Sequence, residues 1–167
     1  MFTLKSLSGA AIPGALDKAE HYRLLNEPWA AESICLDILQ TDPGHQRALR
    51  ILLLARTDQF GAESARLTAL ARESLPLFTS AYERAYYAGI IFERRAKAQL
   101  DRHTPGAGHM AYEWVRDAMA CYEKAETLRP DGNDDAILRW NSCVRLLHAT
   151  PQLVPRPVEQ FEPVIGE

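Results

Sequence analysis

Ten prolines punctuate this 167-residue chain, and their positions limit what can form between them. Proline has no backbone N–H and clashes with the preceding helical turn, so it is tolerated at the start of a helix or outside one. Between these breaks the apolar residues recur at helical spacing, and no alternating run bounded by turns predicts a strand. The pattern predicts seven helices, over 14–25, 28–41, 44–58, 62–74, 80–102, 109–128 and 133–148. Pro28 opens the second. Asp42-Pro43 stops it and restarts the third, with Asp42 as the expected cap. Thr104-Pro105-Gly106-Ala107-Gly108 separates the fifth from the sixth. Pro130-Asp131-Gly132 ends the sixth. Asn133 caps the seventh, with Asp134 and Asp135 facing the positive end of its dipole. After that, four prolines in 17 residues make 151–167 an extended tail.

Composition enters as exclusion. The length suits one domain, here 1–150, that can bury a core without disulfide or metal staples. Net charge is −3, with a pI near 6.0, which argues against a nucleic-acid binder relying on an overall basic field. No apolar run approaches the roughly 20 residues a membrane span needs. The three cysteines, Cys35, Cys121 and Cys143, sit in apolar helical patterns and read as reduced, buried thiols, hence a cytoplasmic protein. The N-terminal apolar stretch is broken by Ser6, Ser8, Gly9 and Pro13, so it does not read as a secretory signal.

Helices in pairs invite a search for a period. From Ala15 to Pro43 the chain carries small Ala19, aromatic Tyr22 one turn on, small Ala31 in the next helix, and Asp42-Pro43 at the end. The signal recurs at Ala118, Tyr122, Ala125 and Pro130, with Gly89 and Phe92 as the small and aromatic pair of the helix before. On these residues the chain resembles the tetratricopeptide repeat (TPR) family, and the stretch from Pro130 to Leu147 is also similar to small bacterial TPR proteins. Pro43 and Pro76 stand one repeat apart, and the interval from Pro76 to Pro130 holds a repeat plus about twenty residues. The second repeat is weak, with Arg56 in an aromatic's place. The resemblance implies an all-α, TPR-like α-solenoid of about three helical hairpins with a C-terminal capping helix. The third hairpin, about 80–128, should be two to three turns longer than its neighbours and protrude from one edge. A plain helical bundle is the alternative fold.

The resemblance also implies where a ligand would lie. TPR arrays present a concave groove lined by the first helix of each pair. That places Leu16, Glu20 and Arg23, then Arg47, Arg50 and Leu54, then Glu83, Tyr86, Ile90 and Arg94, then Asn141 and Arg145 in the groove. Such a surface suits an extended or helical peptide of a protein partner, with arginines reading acidic groups. Leu16 and Glu20 occupy two places of the carboxylate clamp of chaperone-type members, so that clamp is not expected. Leu54, Tyr86 and Ile90 fit equally well as core residues between helices.

A second candidate surface is the long hairpin, with Met110, Tyr112 and Trp114; packing within the hairpin is the simpler account of Tyr112 and Trp114. A third is the seventh helix, where apolar residues including Trp140 and Val144 wrap much of the circumference. A bare solenoid end needs a polar face. The helix is therefore expected to be covered by the tail, which carries Phe161, or by another copy of the chain in a homo-oligomer.

Chemical constellations are scarce. His103 and His109 flank the glycine-rich turn without a third ligand at metal spacing, so no metal site is expected. Pro105-Gly-Ala-Gly108 follows a helix and lacks a following Lys-Ser/Thr, so it is not a phosphate loop. The cysteines have no His companion in sequence. Arg84, Arg94, Arg95 and Arg102, with Glu83 and Glu93 beside them, read as a solvated helix face. The expectation is a non-catalytic adaptor without a cofactor, or alternatively a structural homo-oligomer built through the last helix and tail.

Overall fold

Glycine, proline and short polar turns end each helix after three to six turns, and every connection is short enough to return the chain beside the helix just made. A computed structural model describes residues 2–61 and 64–157; among them the chain forms seven α-helices and no strand. These are α1 (Ile12–Leu24), α2 (Pro28–Thr41), α3 (Gln46–Asp58), α4 (Ser64–Glu73), α5 (Ala81–Leu100), α6 (Ala107–Leu128) and α7 (Asp135–Ala149). Short 3-10 turns at Gly9–Ala11 and Leu75–Leu77 lead into α1 and follow α4. No helix among the described residues is long and apolar enough to cross a membrane.

Successive helices pack on one another, most extensively α5 on α6, and α3 also touches both α1 and α5. Two large core clusters result, with a small third of Tyr82, Ala85, Ala125 and Ala136. Leu16, Ala19, Ala31, Cys35, Ile38, Ile51 and Leu52 fill the space among α1, α2 and α3. Leu49, Leu53, Phe78, Ile90, Ile91, Val115, Met119, Tyr122 and Cys143 fill the larger one from α3 to α7. α3 serves both, which explains why it is buried on nearly all sides: Leu49, Leu53, Ile51 and Leu52 all lie within it.

The caps differ from expectation at one end. Asp42 does not cap α3; His45 does, its Nδ1 accepting from the N–H of Ala48 at 3.3 Å. The Pro43-Gly44 step carries the chain past Asp42 before the helix begins, so the residue next to the first turn is the imidazole. Asn133 does work at the start of α7, its Oδ1 accepting from the N–H of Asp135 at 3.0 Å. Gly132 (φ 78°) and Gly106 (φ 74°) supply the left-handed backbone that the turns before α7 and α6 require.

The third hairpin is long. α5 and α6 have 20 and 22 residues against 13 and 14 for α1 and α2, about two turns more. It does not stand free. On one side Arg102 Nη2 donates to the carbonyl of Gly61 at 2.7 Å, and Phe60 packs on the core. On the other the chain leaving α7 turns back, burying Leu153 in the main core and setting the Val154 carbonyl 3.0 Å from His109 Nδ1. Gly108 makes this approach possible: a Cβ there would lie 3.0 Å from the carbonyl carbon of Gln152, and closer to its oxygen. The seventh helix is therefore less bare than its sequence suggests. Its exposed residues include the polar Asp135, Arg145 and His148, and Leu138, at 64% exposure, is the large apolar exception.

Candidate functional site

The residues expected to line a groove do share a region of the molecule, but they reach one another more than they reach solvent. α1, α3 and α5 lie side by side, and ion pairs stitch them together. Arg47 of α3 donates from Nε and Nη2 to both oxygens of Glu20 (3.1 and 2.7 Å) and from Nη2 to Asp17 (2.9 Å). These bonds hold the guanidinium above its ordinary pKa. Arg23 of α1 and Arg94 of α5 converge on Asp58, the last residue of α3, Arg23 at 2.6 Å. Arg94 also donates to the Leu54 carbonyl (3.2 Å) and to Thr57 Oγ1 (2.8 Å). It thus satisfies the open carbonyl end of α3 and meets its negative dipole. Arg50 of α3 pairs with Glu83 of α5.

Below this lattice the groove assignment needs correcting. Leu16 (4% exposed) and Ile90 (1%) belong to the two cores and offer no surface to a ligand. Each faces a neighbouring helix because small residues, Ala19 and Gly89, allow close approach there. Leu54 and Tyr86 are half-buried against the main core. On α7, Asn141 is half-buried and Arg145 is exposed on the outer side. The residue of α7 that reaches α5 is Arg139.

Arg139 leads to a buried centre. Glu93, expected on a solvated face, is 1% exposed. It accepts hydrogen bonds from Tyr122 Oη (2.6 Å), Lys97 Nζ (2.6 Å) and Arg139 Nη1 (3.4 Å), joining α5, α6 and α7. Burial pushes its carboxyl up, but the bonds from Lys97 and Tyr122 and the charges of Lys97 and Arg139 outweigh this and hold it below the usual carboxylate range. Tyr122 is driven far the other way by burial and by the Glu93 charge. Gly89 leaves room for its ring, since a Cβ there would lie 2.7 Å from Cδ1 and 2.9 Å from Cζ of Tyr122.

Beside the ion pairs runs an aromatic cluster. Tyr86 stacks on Tyr82 (5.7 Å between centroids) and meets Tyr87 edge-on (5.2 Å), and Tyr87 stacks on Phe78 (5.1 Å). Burial first, then Asp135, pushes Tyr82 up to about 12; burial first, then Glu83, does the same to Tyr87. The Tyr82 hydroxyl donates to Asn133 Oδ1 at 3.2 Å. Tyr86 and Tyr87 stay half-exposed next to the Arg50–Glu83 pair.

Sequence reasoning missed Asp17, Asp58, Tyr82, Tyr87, Glu93 and Arg139. Asp58 had a signal: an acid at a helix C-terminus opposes the dipole and invites cations from elsewhere. Arg56, the residue in an aromatic's place, fills its position by chemistry instead of volume. Its side chain, 10% exposed, donates to Glu32 Oε1 of α2 (3.0 Å) and to the Leu70 carbonyl of α4 (2.9 Å).

Trp114 lies under Arg95 of its own hairpin partner, 3.9 Å from guanidinium carbon to ring centroid, and Tyr112 packs on the main core. Trp140 and Val144 also pack there, and Met110 is exposed. Phe161 lies outside the described residues. Cys35 and Cys143 are buried, and burial pushes both thiols up to about 12; half-buried Cys121 moves up for the same cause. No group of three or more His, Cys, Asp or Glu side chains is arranged to hold a metal among the described residues. No family model, curated protein or solved structure matches the chain.

Proposed function

We propose that this chain is a TPR-like helical-repeat adaptor that binds a peptide segment of a protein partner on its α1–α3–α5 face, without catalysis. The observation that carries the reading is the half-exposed Tyr86–Tyr87 edge beside the Arg50–Glu83 pair. Tyrosine rings give large, stiff contact area at low entropic cost. A charge pair at their edge can trade its internal partner for an acidic or basic group of the peptide. The ion pairs among α1, α3 and α5 keep the surface preformed, which lowers the ordering cost of binding. The contacts of α3 with both α1 and α5 support a solenoid over a plain bundle.

The test is peptide selection on the purified protein. Peptides recovered on the wild type should lose at least about tenfold in affinity, roughly 1.4 kcal/mol, on Tyr86→Ala and on the charge swap Arg50→Glu/Glu83→Arg. The swap keeps the internal pair and so the fold. Equal binding to all three proteins rejects the face. A homo-oligomer is the second reading, favoured by the exposed Leu138 on α7. Light scattering should then show an oligomer that Leu138→Glu dissociates.

A further inference from the structure

The α4–α6 side of the molecule carries two arginines of an unusual kind. Arg72 of α4 lies over the Phe92 ring at 5.1 Å, and Arg95 of α5 lies over the Trp114 ring at 3.9 Å. Each guanidinium carbon sits over an aromatic ring, and neither side chain pairs with a carboxylate among the described residues. The arginines of the α1–α3–α5 face bond carboxylates instead, and Arg84 and Arg102 donate to backbone carbonyls. Burial first, then the Arg72 charge, lower the Arg95 pKa. Two such cations on helices that pack together, α4 and α5, each backed by an aromatic ring, form a site for an anion.

The sequence supplies one. Residues 158–167 read Val-Glu-Gln-Phe-Glu-Pro-Val-Ile-Gly-Glu, with three acids and no base. They hold the whole net charge of −3, so the rest of the chain has equal numbers of acidic and basic groups. Apolar Val158, Phe161, Val164 and Ile165 are interleaved with the acids, which matches a surface of rings and guanidinium groups. The geometry points to residues 158–167 of the same chain docking across α4, α5 and α6, with their glutamates on Arg72 and Arg95. Reach is sufficient. The chain is anchored at Val154 beside His109. Trp114 is five residues along α6, about 7.5 Å in rise and about 140° around the helix. The 13 residues from Pro155 onward extend to about 40 Å, enough to pass around the hairpin tip.

Trp114 reports on the proposal directly. In full-length chain carrying Trp29→Phe and Trp140→Phe, acrylamide quenching of the remaining tryptophan measures its cover. Neutralising the segment with Glu159→Gln/Glu162→Gln/Glu167→Gln, which leaves the surface untouched, should raise the quenching constant about twofold, and high salt should do the same to the acidic segment. Reversing both sides, Arg72→Glu/Arg95→Glu with the three glutamates changed to Lys, should restore protection that either reversal alone removes. Unchanged quenching in the neutralised chain overturns the proposal. Protection that grows with protein concentration overturns it in favour of a second copy as the occupant.

Discussion

A buried carboxylate costs several kcal/mol to desolvate, so Glu93 is tolerable only because three donors surround it. Removing it would strand the Tyr122 hydroxyl and the Arg139 guanidinium. Glu93→Leu should therefore destabilise by about 3–5 kcal/mol, read by denaturant unfolding at neutral pH. The pH dependence has a definite sign. The folded-state pKa of Glu93 is depressed, so its contribution is present above the ordinary carboxylate range, near 4.3, and is lost as pH falls through the lower folded value. The stability gap between wild type and Glu93→Gln should be full at pH 7 and shrink below about pH 4. A gap that stays constant into acid would show that Glu93 is not the ionised centre of this network. Arg56 makes a parallel case: Arg56→Met keeps the volume but leaves Glu32 short of its partner, and should cost about 3 kcal/mol. Arg56, in an aromatic's place of the repeat, carried a sign of its burial, but Glu93 carried none. Glu93 stands beside Arg94 and Arg95 in sequence and reads as solvent-facing. Its partners Tyr122 and Arg139 lie 29 and 46 positions away.

At the scale of elements, prolines and glycines made the helices readable because backbone restrictions act locally. The ends of α2 and α6 fall at Thr41 and Leu128, where the breakers place them. The relations between helices were less legible. α7 was assigned to the groove through Asn141 and Arg145, whereas Arg139 is the residue that meets α5. Arg139 lies about 160° around the helix from Asn141 and about 120° from Arg145, a phase that periodicity does not fix when apolar residues wrap so much of the helix. The hairpin tip illustrates a contact that only glycine permits. Gly108→Ala should displace the Gln152–Val154 turn without disturbing α5 or α6 far from the tip. Limited proteolysis should then cut the chain after Thr150 several-fold faster, while the helical circular dichroism stays close to wild type. Gly89→Ala belongs to the opposite class. Its Cβ meets the Tyr122 ring inside the core, so the expected result is a loss of about 1–3 kcal/mol, with no selective release of the tail.

The whole molecule has an uneven distribution of packing, and its unfolding should follow that. α1 and α2 contribute to the smaller core and reach the remainder chiefly through α3. Among the described residues α4 is the shortest helix, at 10 residues, and Thr68 Oγ1 within it is buried without a hydrogen-bond partner. In contrast α5, α6 and α7 share the larger core, the Glu93 centre and the returning chain at Leu153. Where neighbours supply most of the stability, an end with fewer neighbours opens first. Native-state hydrogen exchange in low denaturant should show the α5 and α6 amides exchanging only by global unfolding. The amides of α1 and α2 should open in a separate step of lower free energy. The ion pairs from Arg23, Arg47 and Arg94 are what couple that end to the rest. Asp58→Asn weakens two of them at once, and should lower the α1–α2 opening energy more than the global one. A single opening energy for all seven helices, in the wild type and in Asp58→Asn alike, would show instead that α3 transmits stability along the full length of the chain and that the two cores behave as one.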